Sequence, residues 1–134
     1  MKPPLPQIRF SANTGYLWRD LPLIRRIRNA GENGFDAVEF HDDCQRADLG
    51  EVRELIREYA LPVMSINTTM GNTFGRAATP GEEQAAKLDI DEAIAVADML
   101  DAKAIHVLAG LTAGTDGMVS YTENLLYALD RFSV

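Results

Sequence analysis

The sequence predicts an α/β fold in which a parallel sheet alternates with helices. Short apolar segments with β-branched centres alternate with longer segments whose apolar residues recur every three or four positions. The segment 102–110 is the clearest strand, because Ile105 and Val107 form its apolar centre and Gly110 ends it. Parallel strands need crossover connections, and the intervening helical segments supply them. The order is therefore four βα units.

The predicted strands are short, as expected for a buried parallel sheet. They cover residues 8–13, 36–41, 62–67 and 102–110. Each is followed by a loop containing glycine, proline or polar residues, which are typical of turns.

The predicted helices begin at residues that commonly cap helix N-termini. Asp20 is the candidate N-cap of the first helix, with Pro22 in its first turn. Asp48 and Glu51 form a capping-box pattern at the start of the second. The helices are predicted at 20–30, from 48, from 79–82 to 100, and from 120–123 to 132.

Composition limits the class of protein. The 134 residues form one domain, 1–134, and 46% of them are hydrophobic, which is enough for a core. A net charge of −7 disfavours binding to nucleic acid. The sequence has no apolar run of about 18 residues and no apolar signal segment at its start, so we expect no membrane partner. Cys44 is the single cysteine, which predicts a reducing, cytoplasmic location.

The alternation of side chains along the strands favours a barrel. On each predicted strand the polar residues share one face and apolar residues such as Ala12, Val38, Met64 and Ile66 share the other. A barrel buries only its outer face under helices and admits polar groups in its lumen, whereas a doubly wound sheet is apolar on both faces. The polar face carries Arg9, Ser11, Asn13, Glu39, His41, Ser65, Asn67 and His106. We predict a TIM (β/α)8-type barrel, with a doubly wound parallel sheet as the alternative.

Four βα units make only half of such a barrel. A complete one takes about 200–250 residues. The chain is therefore predicted to be a half-barrel or an N-terminal fragment, with two unpaired strand edges that favour association. We expect a homodimer or a larger oligomer.

Four segments resemble the N-terminal half of hydroxypyruvate isomerase-like proteins, in the xylose isomerase-like TIM-barrel superfamily. They are Arg9-Phe-Ser-Ala-Asn13, Gly34-Phe-Asp-Ala-Val-Glu-Phe40, Ile105-His-Val-Leu-Ala-Gly110 and Glu123-Asn-Leu-Leu-Tyr-Ala-Leu129. The resemblance extends in order over residues 8–132. It implies carbohydrate metabolism and the isomerisation of a small hydroxy-carbonyl compound. In that family two glutamates move a proton through an enediolate, and a divalent metal, Mg²⁺ or Mn²⁺, polarises the substrate oxygens.

The resemblance also implies that the chemistry lies elsewhere in the barrel. The two glutamates of the family lie on strands five and eight, with the other metal ligands between them, so none can be assigned to a residue of this chain. We predict no catalytic residue and no metal ligand here, and no cofactor for this chain alone. The segment His41-Asp-Asp-Cys44 is a poor metal site, because consecutive side chains rarely all reach one ion.

Five residues are candidates for the wall of a substrate pocket, because they lie at or near the carboxyl ends of predicted strands. They are Asn13, Glu39, His41, Asn67 and His106. Structural roles are the alternative for each: Asn13 and Asn67 as turn formers, Glu39 and His106 as satisfied interior groups, and His41 as part of a solvated loop.

Two functions follow from different classes of protein. The chain is either the front half of an isomerase that contributes pocket walls, or a non-catalytic half-barrel that associates with itself or binds a small molecule.

Overall fold

The computed structural model describes residues 7–111 and 115–132, and it has the predicted alternation of strands and helices. In chain order the elements are β1 (Ser11–Asn13), α1 (Leu23–Glu32), β2 (Ala37–Glu39), a short 3₁₀ helix (Asp43–Arg46), α2 (Leu49–Glu58), β3 (Val63–Asn67), α3 (Glu83–Leu100), β4 (Ile105–His106) and α4 (Asp116–Phe132). The predicted lead-in at residues 1–7 lies almost wholly outside the described residues. In the described part of the chain, no helix is both long and apolar enough to cross a bilayer.

The order of the strands identifies the architecture. The four strands are parallel and lie in the order β1-β2-β3-β4, so each crossover moves one strand further in the same direction. Right-handed crossovers that all move one way place every helix on the same face of the sheet. The helices indeed pack in sequence, α1 on α2, α2 on α3 and α3 on α4. This is four βα units of a barrel; a doubly wound sheet would reverse direction and carry helices on both faces.

The core lies between the sheet and its helices. Ala12, Val38 and Ile66 are fully buried there, and Phe40 is almost so. The helices contribute residues at the predicted spacing, including Ile27, Val52, Leu55, Ala93 and Ala97. The opposite face of the sheet has no covering layer among the described residues.

One prediction of side-chain direction was wrong. Met64 was expected under the helices, yet it is 42% exposed, and Val63 is fully buried instead. The register between the two strands shifts here: Val38 is opposite Val63, but the next residue, Glu39, is opposite Ser65. Met64 is therefore an extra residue on β3, which reverses the alternation for one position.

The helix starts agree with the sequence at α2 and differ at α1, α3 and α4; α3 begins at Glu83, with no side-chain cap from the predicted segment 79–82. The Asp48 carboxylate accepts a hydrogen bond from the Glu51 N–H (3.2 Å), as predicted for the start of α2. Asp20 does not cap α1, which begins at Leu23 after Pro22. Ser120 lies a turn inside α4 rather than before it.

The reason for the last difference is a contact between helices. The Ser120 hydroxyl donates to the Glu83 carboxylate of α3 (2.7 Å) and is buried. A serine that has a partner on the neighbouring helix does not compete with its own backbone. The capping pattern in the sequence was therefore a coincidence of residue types.

The loop between β3 and α3 folds back along the chain that continues β4. Gly75 forms an antiparallel bridge with Ala109, and the Ala77 N–H donates to the Leu108 carbonyl (3.1 Å). Both Gly75 and Gly110 have a φ of +91°, which favours glycine, and a Cβ on either would meet the opposite backbone within 2.4 Å. This pairing fixes the loop at the carboxyl end of the sheet.

Candidate functional site

An open cavity of about 530 Å³ occupies the uncovered face of the sheet at the carboxyl ends of its strands. The structure brings together there all five residues proposed from the sequence, namely Asn13, Glu39, His41, Asn67 and His106. Their role in binding a substrate stays a prediction.

The sheet register explains why these side chains meet. Asn13 is directly opposite Glu39, and Asn67 is directly opposite His106. Glu39 is in turn opposite Ser65, which also lines the cavity. Directly opposite residues on neighbouring strands have side chains on the same face. Two adjoining rows of polar groups on the same face, Asn13-Glu39-Ser65 and Asn67-His106, therefore extend across the sheet.

Glu39 and His106 present groups without internal partners. Neither the Glu39 carboxylate nor the His106 imidazole makes a hydrogen bond or ion pair with any residue of 7–111 or 115–132. Glu39 is partly buried, and His106 is exposed at the edge strand. The neighbouring strands therefore do not satisfy the Glu39 carboxylate, as the structural alternative required. Its oxygens are available to accept hydrogen bonds from a ligand.

Both asparagines are partly engaged by the loops that follow them. The Asn13 Oδ1 accepts a hydrogen bond from the Gly15 N–H (3.0 Å), which is an Asx turn. The Asn67 Nδ2 lies 3.9 Å from the Met70 Sδ, a weak contact. The turn-forming role thus applies to the Oδ1 of Asn13. Its Nδ2 has no partner among the described residues and is available as a hydrogen-bond donor.

His41 is held by the loop after β1. Its ring meets the Tyr16 ring edge to face, with centroids 4.8 Å apart and planes at 88°. The α-carbon of Gly15 packs against the same imidazole. The His41 carbonyl accepts from the Asn67 N–H at 3.2 Å, which ties this position to the end of β3.

A second cavity of about 510 Å³ adjoins the first, and Arg19, His41 and Met70 line both. It contains two ion pairs, Arg26 with Asp43 (3.3 Å) and Arg46 with Asp42 (3.2 Å). The charges of both aspartates are therefore already compensated by arginines.

Asp42 is buried and holds the loop after β3. Burial acts to raise the pKa of its carboxyl, but hydrogen bonds from Arg46 and from the Met70 N–H (2.8 Å) outweigh burial, so the pKa lies below its usual value. Asp42 is thus a charged anchor between two loops of the site.

The segment 41–44 does not form a metal centre. The Cys44 thiol is buried, and that burial, together with the neighbouring charge of Asp43, raises its pKa to about 12. Across residues 7–111 and 115–132, no three His, Cys, Asp or Glu side chains lie close enough to hold a metal ion. The residues described here do not fit the divalent metal that the resemblance implies.

Sequence reasoning missed several residues of the cavity wall. Tyr16, Arg19, Met70, Phe74 and Leu108 also line it. The first four lie on loops that follow strands, and such loops form the active face of a barrel. The position of these residues directly after a strand could therefore have identified them as wall residues. They were not selected because three of the four are apolar or aromatic, and the selection was limited to polar side chains.

The fold and the placement of the cavity are those of the first half of a TIM barrel. Residues 27–133 match the family described as xylose isomerase-like TIM barrel. The chain belongs to this family.

Two of the relatives that the chain matches have isomerase names. The chain is 31% identical over 134 residues to a 2-oxo-tetronate isomerase of Pectobacterium atrosepticum, covering 93% of this chain and 50% of that protein. It is 36% identical over 115 residues to a Danio rerio protein named "Putative hydroxypyruvate isomerase", covering 81% of this chain and 41% of that protein. The chain thus spans about half the length of the curated relatives it matches.

A solved structure shows the same relation. The crystal structure titled AP endonuclease, family 2 from Brucella melitensis is similar to this chain with a TM-score of 0.83 and 29% identity. The match covers 92% of this chain and 50% of that protein. The expected resemblance to the N-terminal half of hydroxypyruvate isomerase-like proteins is confirmed.

Proposed function

We propose that this chain forms the first half of the substrate cavity of an isomerase that acts on a small hydroxy-carbonyl compound of the hydroxypyruvate or 2-oxo-tetronate kind. The observation that carries the proposal is the pair of polar rows, with Asn13, Glu39, Asn67 and His106, across one open cavity at the carboxyl ends of four parallel strands. The isomerase names of the relatives support the reaction class. We expect the protein to act in the cytoplasm.

The chemistry available to these residues is binding and orientation. The Glu39 carboxylate accepts hydrogen bonds from a substrate hydroxyl, and the amide of Asn13 donates to a carbonyl or hydroxyl oxygen. A hydrogen bond to a charged group contributes about 1.5–3 kcal/mol. Holding a short polyoxygenated chain in one orientation is what proton transfer between adjacent carbons requires.

The proton transfer itself needs groups that this chain does not supply. Glu39 is the only carboxylate on the wall of the 530 Å³ cavity among the described residues, whereas the family mechanism uses two. A divalent metal, Mg²⁺ or Mn²⁺, supplies Lewis-acid polarisation in the complete enzymes of the family. Because the donors described here do not fit that ion, we assign it no ligand in this chain.

The test is ligand binding separated from turnover. We expect the purified 134-residue protein to bind hydroxypyruvate weakly, with shifts of the two histidine signals in its NMR spectrum, and to lose about tenfold in affinity on Glu39→Gln. Glu54→Gln, on the exposed side of α2, is the control and should bind as the wild type does. Turnover with added Mg²⁺ or Mn²⁺ should be absent.

The alternative is a half-barrel that associates without catalysis. The unpaired edges of β1 and β4 favour it. Absence of binding by both the wild type and Glu54→Gln would support that function over the isomerase half. Turnover that Glu39→Gln abolishes would show instead that the chain contains its own catalytic acid.

A further inference from the structure

Arg19 lies where the two cavities at the carboxyl end of the sheet meet, because its side chain lines both of them. It belongs to the loop after β1. His41 in the loop after β2 and Met70 in the loop after β3 also line both cavities. The junction is therefore built from three consecutive loops of this chain, and loops in this position form the binding face of a barrel.

The backbone just before Arg19 has a conformation that a bulky residue rarely adopts. Trp18 has a φ of +56°, in the left-handed region. Its ring packs edge to face on Phe35, with centroids 6.1 Å apart, and against the core under the helices. Residues held in such a conformation cluster at binding sites, where the surrounding packing enforces it. The packing of Trp18 therefore fixes the turn from which Arg19 reaches the cavity wall.

The other charges of the 510 Å³ cavity do not compensate the guanidinium of Arg19. Three arginines and two aspartates line this cavity. Both aspartates already have arginine partners, Asp43 with Arg26 and Asp42 with Arg46. Arg19 makes no hydrogen bond or ion pair with any residue of 7–111 or 115–132. In the described part of the chain, it is thus the arginine of this wall that is available to an anion.

The negative charge of the 530 Å³ cavity lies at a different point of its wall. Glu39 carries it, and this carboxylate forms no ion pair with Arg19. Asp20, the residue after Arg19, is exposed and lines neither cavity. A short ligand with an anionic end and a hydroxylated end therefore meets a cation at Arg19 and a hydrogen-bond acceptor at Glu39. The reverse orientation would place two carboxylates together, so the charges select one orientation.

His41 supplies a second hydrogen-bond donor at the same junction. Its imidazole is oriented by the Tyr16 ring and the α-carbon of Gly15, and it makes no hydrogen bond with a described residue. A neutral imidazole has one N–H donor. An arginine guanidinium presents a planar fork of donors that matches both oxygens of a carboxylate. The two side chains together are therefore suited to bind a carboxylate.

We propose that Arg19 binds the carboxylate of the substrate, with His41 as a second donor, so that the cavity selects a short hydroxy-oxo acid over the neutral ketose of the same length. This role rests on the proposed function, because it names the residue of the same site that recognises one end of the substrate. The carbon chain extends from Arg19 toward Glu39 and the polar rows. Arg19 binds and orients the substrate and transfers no proton, because a guanidinium stays charged.

The affinities for two compounds of equal length test this role. Hydroxypyruvate has a carboxylate where dihydroxyacetone has a hydroxymethyl group. In NMR titrations we expect the 134-residue protein to bind hydroxypyruvate about 10- to 100-fold more tightly than dihydroxyacetone. Arg19→Gln should remove most of that difference by weakening hydroxypyruvate alone. Arg19→Lys, which keeps the charge but loses the planar fork, should give an intermediate affinity.

Arg53→Gln is the matched control for the loss of one positive charge. Arg53 is exposed on α2 and lines neither cavity, so both affinities should stay at their wild-type values. Arg19 is also exposed, so the two variants should unfold at the same urea concentration. A direct measurement is the Nε–H signal of Arg19, assigned by its absence in Arg19→Lys. That signal should shift on addition of hydroxypyruvate and stay in place with dihydroxyacetone.

The possible outcomes separate a failure of this role from a failure of the proposed function. A wild type that binds neither compound would overturn both. A wild type that binds the two compounds equally, or an Arg19→Gln protein that keeps the preference or loses both affinities alike, would overturn the role of Arg19 and leave the proposed function standing. Equal effects of Arg53→Gln and Arg19→Gln would also overturn it, since net charge rather than contact would then decide binding.

Discussion

The imidazole of His41 lies directly against the α-carbon of Gly15. A Cβ built on Gly15 would be 2.2 Å from the His41 Cγ, far inside van der Waals contact. The two residues come from consecutive βα loops, so the contact joins the ends of β1 and β2 at the cavity wall. Glycine is needed here for the room that it leaves.

The first prediction is that Gly15→Ala displaces His41 and changes the cavity. The ring is able to rotate away, so we expect a small loss of stability but about tenfold weaker binding of hydroxypyruvate. Because the chain has only two histidines, the NMR signal of His41 can be followed directly, and that of His106 should move less.

Gly50→Ala is the matched control for that substitution. Its Cβ would approach only the end of the Asp48 side chain, at 3.1 Å. Alanine is also favoured over glycine inside a helix, so stability should be equal or higher. If Gly15→Ala left both the His41 signal and binding as they are in Gly50→Ala, His41 would not shape the cavity.

The second prediction concerns Asp42 and pH. Because its folded-state pKa lies below the ordinary value of 3.8, the ionised carboxylate stabilises the fold above about pH 4, and this contribution is lost as pH falls through the folded pKa. Asp42→Asn should lower the free energy of unfolding by about 1–3 kcal/mol at pH 7, since it weakens the hydrogen bonds from Arg46 and the Met70 N–H.

The measurement is urea denaturation of both proteins at pH 7 and pH 3, at one protein concentration. The difference between them should be smaller at pH 3, because below the ordinary pKa of 3.8 the carboxyl of the unfolded wild type is largely protonated and folding must ionise it. A difference that stays constant between the two pH values would show that the role of Asp42 does not depend on its charge.

The third prediction concerns the thiol of Cys44. Burial and the charge of Asp43 raise its pKa to about 12, and its side chain is 1% exposed. Thiolate is the reactive form, so the folded protein should react with a disulfide reagent only through unfolding. The reaction should be complete in denaturant and should accelerate in Asp42→Asn by about tenfold for each 1.4 kcal/mol of unfolding free energy that the substitution removes. Rapid reaction in buffer at pH 7 would contradict this burial.

The sequence was sufficient for the architecture because its signals are local. The alternation of strand and helix, and the polar rows from Asn13 to His106, depend on periodicities that each segment shows alone. The N-cap role of Asp48 at the start of α2 is equally local, and its hydrogen bond from the Glu51 N–H confirms it.

The differences arose where distant residues decide the local structure. The extra residue at Met64 depends on how β2 and β3 align, which neither strand shows by itself. Ser120 was misplaced because its partner, Glu83, lies on another helix. The wall residues Tyr16 and Phe74 were missed because exposed aromatic side chains in loops have no periodicity from which to infer direction.

The last prediction concerns the anchor of the β3–α3 loop. Arg76 donates two hydrogen bonds to Asp89 of α3, from Nε to Oδ2 (2.8 Å) and from Nη2 to Oδ1 (3.0 Å). Asp89 is buried, whereas the Arg76 side chain is 38% exposed, so solvent screens part of the attraction. The planar guanidinium matches both carboxylate oxygens, which a lysine ammonium cannot do.

Arg76→Lys should therefore cost about 1–2 kcal/mol of unfolding free energy although it keeps the charge. Arg76 adjoins Gly75 and Ala77, whose backbones pair with the chain after β4, so amide exchange of Ala77 and Ala78 should also become faster. Lys103→Ala is the control, because its partner Asp101 is 91% exposed and that pair should contribute almost nothing. The contrary result is an Arg76→Lys protein that is as stable as Lys103→Ala and exchanges its amides at the wild-type rate. The double hydrogen bond would then not be what holds this loop, and the backbone pairing of Gly75 with Ala109 would be sufficient to hold it.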